Sequence, residues 1–102
     1  MDRRQSPRIC ERFPIWVQGV DTNGRQFHVD TILDNLSATG LYVCLEHEVK
    51  KGARLSMILH MAPVHSPARA ARVAAMGVAT RTERLPDGKC GIGVSFTQHK
   101  FL

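Results

Sequence analysis

Residues 13–33 read FPIWVQGVDTNGRQFHVDTIL, two alternating runs around a turn. From Phe13 to Val20, Ile15 and Val17 alternate with Trp16 and Gln18. From Gln26 to Leu33, one face carries Phe27, Val29, Thr31 and Leu33 and the other carries His28, Asp30 and Ile32. A period of two is the signature of a half-buried strand. Asp21-Thr22-Asn23-Gly24 lies between the runs, and its Asn-Gly pair predicts a hairpin.

The same pattern extends along the chain. Asp34 to Gly40 reads as a polar connection of small residues, and Leu41 to Leu45 as a third strand. Lys50-Lys51-Gly52 is a turn, after which Leu55, Met57 and Leu59 alternate with Ser56, Ile58 and His60 in a fourth strand. Pro63 and Pro67 exclude a paired central strand and predict an irregular segment. The alanines of residues 68–83 allow a helix. Val73, Gly77, Val78, Thr80 and Thr82 favour a long strand bent near Gly77. Pro86-Asp87-Gly88 is a turn, and Cys90 to Thr97 a last strand with Ile92, Val94 and Phe96 facing in. Six or seven short strands between regular turns predict an all-β antiparallel barrel, whose closure would remove exposed edges.

The chain has 102 residues, the size of one domain, with 43% hydrophobic and 23% charged residues, close to globular averages. No apolar run approaches the roughly 20 residues of a membrane helix. The N-terminal MDRRQSPR is basic with no apolar stretch behind it, so no secretory signal is expected. Cys10, Cys44 and Cys90 are odd in number and widely spaced, which argues against a disulfide framework and for a reducing cytoplasm. The 14 Lys and Arg against 9 Asp and Glu leave a charge of +5, which favours an anionic partner without naming one.

Much of that charge sits in residues 1–12, in Arg3, Arg4, Arg8 and Arg12. Pro7 pushes Ser6 away from the helical region, so an extended or looped arm is expected before a barrel over residues 13–102. Two spacings carry chemistry. Arg4-Gln5-Ser6-Pro7-Arg8 is R-x-x-x-R, and Asn35-Leu36-Ser37-Ala38-Thr39-Gly40 is N-x-S-x-x-G. A guanidinium makes two parallel hydrogen bonds to a phosphate or to the O6/N7 edge of guanine, and can stack on a base. Two arginines on one arm can therefore clamp both parts of a guanine nucleotide. Asn35 and Ser37 offer short polar side chains to a base edge or a phosphate, and Gly40 permits close approach. Each spacing also has a plain reading, a solvated basic terminus for the first and a side-chain-capped turn for the second.

The two motifs in this order, with Gly91-Ile92-Gly93-Val94-Ser95-Phe96 closing the chain, resemble the PilZ domain family over nearly the whole length. The resemblance implies a six-stranded barrel that binds cyclic di-GMP, with the arginine arm wrapping over the ligand. It implies that Arg4 and Arg8 bind guanine and phosphate, that Asn35 and Ser37 bind guanine, and that Gly40 shapes the loop. Arg3 precedes the motif and could add charge or stacking. Family members often carry a helix after the last strand, whereas this chain ends at His99-Lys100-Phe101-Leu102.

Other residues carry less. Arg81 could meet a second ligand molecule, although a solvated strand arginine explains it as well. His28, His47, His60, His65 and His99 form no metal-ligand spacing, so no metal or cofactor is expected. No nucleophile–base set or Walker sequence occurs, so the reading is a receptor and not an enzyme. Trp16, Phe13, Phe27, Tyr42, Phe96 and Phe101 read as core or barrel lids, too few for a nucleic-acid stacking platform. The expected function is a cytoplasmic cyclic di-GMP receptor or adaptor whose arm orders on binding and signals to a downstream protein. The alternative is a small basic barrel that binds nucleic acid or protein. Steep salt dependence would mark that case, since a polymer offers many phosphates and a dinucleotide only two.

Overall fold

The structure is a computed structural model and describes residues 13–33, 35–61 and 71–102. Seven strands form one antiparallel sheet: β1 (Pro14–Val20), β2 (Gln26–Ile32), β3 (Asn35–Leu36), β4 (Gly40–Leu45), β5 (Arg54–Met61), β6 (Ala71–Arg84) and β7 (Cys90–Phe101). Their spatial order is β2-β1-β5-β6-β7-β4-β3. The sheet curls into a half-barrel around its apolar face. The all-β antiparallel expectation holds, with seven strands among the described residues, within the six or seven the pattern predicts and one more than the family resemblance implies. The extra strand is Asn35–Leu36, which pairs with Tyr42 and Leu41 inside the segment read as a connection. Two residues are too few to show a period. β2 and β3 are the two ends of the strand order, and among the described residues they do not pair with each other.

The alternation predicts the faces. Ile15, Val17, Phe27, Leu33, Val43, Leu55, Met57, Leu59, Ile92 and Val94 are all buried, and His28, Asp30 and Ile32 are exposed as their positions require. No polar or charged residue is buried among the described residues, so the core contains no polar group to satisfy.

The first turn differs in detail from the two-residue type with left-handed Asn and Gly. Among the described residues no non-glycine residue has positive φ, and within this turn only Gly24 (φ 80°) is left-handed. Gly24 N–H donates to Asp21 C=O at 3.0 Å, and Asp21 N–H to Arg25 C=O at 2.9 Å. This is a type I turn followed by a glycine bulge. The Asp21 carboxylate holds it, accepting from the Asn23 and Arg25 amides at 2.9 and 3.0 Å.

Residues 71–84 are a strand, with irregularities at Met76/Gly77 and Ala79/Arg81, near the expected bend. β7 is longer than expected, running past Thr97 to Phe101, where Phe101 pairs with Val73. Its last residues are exposed, so burial gives them no alternation to read. Phe13 and Phe27 are core and Phe96 packs on the core edge, but Phe101 is 69% exposed, and Trp16 and Tyr42 lie half-buried outside the core. The expected irregular segment 63–67 and the arm 1–12 lie outside the described residues. Among the described residues, no helix is long and apolar enough to cross a membrane.

Candidate functional site

Four strands place their outward residues in one row. Asn35 on β3 stands opposite Tyr42 on β4, Tyr42 opposite Gly93 on β7, and Gly93 opposite Arg81 on β6. The side chains of a row across a sheet are neighbours. Because Gly93 has no side chain, the floor between Tyr42 and Arg81 is bare backbone. The result is an open trough of about 290 Å³, with Asn35, Ser37, Gly40, Tyr42, Arg81 and Gly93 among its lining residues.

Arg81 faces the trough because of a bulge. Val73, Ala75, Gly77 and Ala79 all face in, so strict alternation would send Arg81 inward too. At Ala79/Arg81 the register slips, leaving Thr80 unpaired while Arg81 takes the place opposite Gly93. Bulges re-aim side chains in this way. Thr80 Oγ1 also donates to the Gly93 carbonyl at 3.3 Å.

The loop side is built around Ser37 and Gly40. Ser37 N–H donates to Gly40 C=O at 2.9 Å, and Phe96 N–H to Thr39 C=O at 2.9 Å, fixing the loop on β7. The Ser37 hydroxyl donates to Gly40 C=O at 3.3 Å and accepts from Thr39 N–H at 3.4 Å. These bonds are long and weak, so the hydroxyl can exchange them for a better partner. A Cβ on Gly40 would run into the Val94 carbonyl oxygen, so only glycine lets β4 approach β7 here. No hydrogen bond holds the Asn35 carboxamide among the described residues. The N-x-S-x-x-G residues thus form a braced turn that is also one wall of the trough.

Tyr42, expected as core or barrel lid, lies outside the core. Alternation explains this, because Leu41, Val43 and Leu45 are buried and Tyr42 therefore points outward. Its ring lies across Gly91, where any Cβ would collide with the phenol. The hydroxyl donates to Glu83 Oε1 at 2.6 Å, and the Arg81 guanidinium carbon stands 5.7 Å from the ring centroid, within cation–π range. The hydrogen bond to Glu83, with desolvation and the carboxylate charge behind it, pushes the Tyr42 phenol up to about 12.

Asn35, Ser37, Gly40 and Arg81 therefore meet in one place. Arg3, Arg4 and Arg8 lie outside the described residues. Among the described residues no cluster of His, Cys, Asp or Glu is placed to hold a metal ion.

The described strands thus form a small antiparallel half-barrel with an open polar trough on its outer face. The family model of the PilZ domain matches residues 2–100, and the chain belongs to that family, whose members are cyclic di-GMP receptor and adaptor domains. Members of the family bind and adapt and are not enzymes. No curated protein matches the sequence. Among solved structures, the fold is similar to that of the Bacillus subtilis inhibitor of motility (MotI/DgrA). The TM-score is 0.71 at 19% identity, covering 96% of this chain and 44% of that one. This chain thus spans less than half the length of that protein.

Proposed function

We propose that this chain is a cyclic di-GMP receptor domain, with residues 1–12 as its binding arm and residues 13–102 as its barrel. One observation carries the reading: Asn35, Ser37 and Gly40, the residues of the family's loop motif, line the same trough as Arg81. A trough with a bare glycine floor, amide and hydroxyl groups on one wall and a guanidinium on the other suits a flat, anionic guanine nucleotide. Arg4 and Arg8 clamp guanine and phosphate from the arm. Asn35 and Ser37 take the base edge, and Gly40 holds the loop against β7. Arg3 and Arg81 add positive charge. Ordering of the arm over the ligand creates a surface that a downstream protein partner reads, in the cytoplasm where the second messenger is found.

The test is a binding comparison between the parent and Arg8→Ala. Losing a charged hydrogen bond of about 1.5–3 kcal/mol weakens affinity by roughly ten- to 150-fold. Equal affinity in the two proteins would remove Arg8 from the clamp.

A further inference from the structure

Arg81 and Glu83 sit two residues apart on the outward side of β6, both exposed. Such a pair is free to close into an ion pair, which would spend the arginine's charge on its own strand. Among the described residues Arg81 has no ion pair, while Arg84 pairs with Glu48 at 3.3 Å. The difference lies in Tyr42. Its hydroxyl engages Glu83 Oε1 at 2.6 Å, and its ring stands beneath the Arg81 guanidinium at 5.7 Å. Gly91, which has no side chain, gives the phenol the space to reach Glu83.

We infer that Tyr42 is a positioning residue that withdraws Glu83 from Arg81 and holds the free guanidinium over the trough for an anionic ligand. The inference rests on the receptor reading for its ligand and goes beyond it in assigning Tyr42 and Glu83. The hydroxyl and the ring have separate tasks. The hydroxyl occupies the carboxylate, and the ring face supports the cation at a distance where their attraction is significant. Without the hydroxyl, Glu83 turns to Arg81 and competes with the ligand phosphate.

The logic gives two substitutions effects of opposite sign. Tyr42→Phe keeps the ring and frees Glu83, and competition from an exposed ion pair lowers affinity for cyclic di-GMP by roughly two- to fivefold. Adding Glu83→Gln removes the competitor, so the double variant regains parental affinity. A purely structural Tyr42–Glu83 tie predicts loss without rescue, because the double variant also lacks the bond. A second measurement needs no ligand. The Arg81 Nε–Hε signal in NMR spectra shifts and broadens less in Tyr42→Phe as the guanidinium pairs with Glu83, and returns to its parental position in the double variant. Loss without rescue, or an Arg81 signal unmoved by Tyr42→Phe, overturns the assignment. Should the parent fail to bind cyclic di-GMP, the receptor reading falls, and the Arg81 signal alone decides the role of Tyr42.

Discussion

At the scale of single residues, Tyr42 gives the most direct reading. It is the chain's one tyrosine, so phenolate absorbance on titration with base reports it alone. The midpoint is expected near 12 against an ordinary 10.0, with Glu83 the principal cause. Glu83→Gln should move it back toward the ordinary value, and an unchanged midpoint would dissolve the tie. The raised value means that folding favours the protonated phenol. The contribution of the tie to stability is therefore complete below the unfolded value of 10.0 and is lost as pH climbs from there through about 12. Near neutral pH the contact is insensitive to pH.

The site residues were unequally legible. Asn35, Ser37 and Gly40 could be read because their motif is contiguous, and a contiguous loop keeps its residues together in any fold. Tyr42 could have been found from the same stretch, since Gly40 and Tyr42 must share a face when Leu41, Val43 and Leu45 do. Its residue type hides this, because an aromatic on a strand reads as core or barrel lid. The bulge that turns Arg81 outward was not legible. It depends on a one-residue slip against β7, and the strand's own pattern shows no break at Thr80.

At the scale of elements, strand order sets the protection of the backbone. β5 is paired on both sides, by β1 and β6, and its Leu55, Met57 and Leu59 are buried. β3 is two residues long and terminates the order beyond β4. Local opening is cheapest where contacts are few. Hydrogen exchange should therefore be slowest at Leu55, Met57 and Leu59 and fast at Asn35 and Leu36, next to the binding loop. Ligand binding should slow the second group most. Exchange at Asn35 and Leu36 as slow as at Met57 in the free protein would contradict this order. The strands with a buried face were readable because burial imposes a period of two. β3 and the end of β7 were not, because one is too short and the other too exposed to carry that period.

At the scale of the whole molecule, the half-barrel separates stability from binding. Among the described residues its apolar interior has no buried polar side chain, and the polar trough occupies the outer face of β3, β4, β6 and β7. β3, β4, β6 and β7 thus contribute residues both to the core and to the trough, and outward side chains of the trough can vary without reopening the core. On the proposed reading, the arginines at residues 3, 4, 8 and 12 of the arm add to the positive charge that Arg81 supplies in the trough. On this reading, arm and trough together receive cyclic di-GMP. Calorimetric titration of the whole chain, with cyclic di-AMP as the control, tests it most directly. Saturable heat with cyclic di-GMP and none with cyclic di-AMP is the predicted result, accompanied by stabilisation of about 2.7 kcal/mol at a hundredfold excess of ligand over Kd. Neither heat nor thermal stabilisation across a range of temperatures would contradict it.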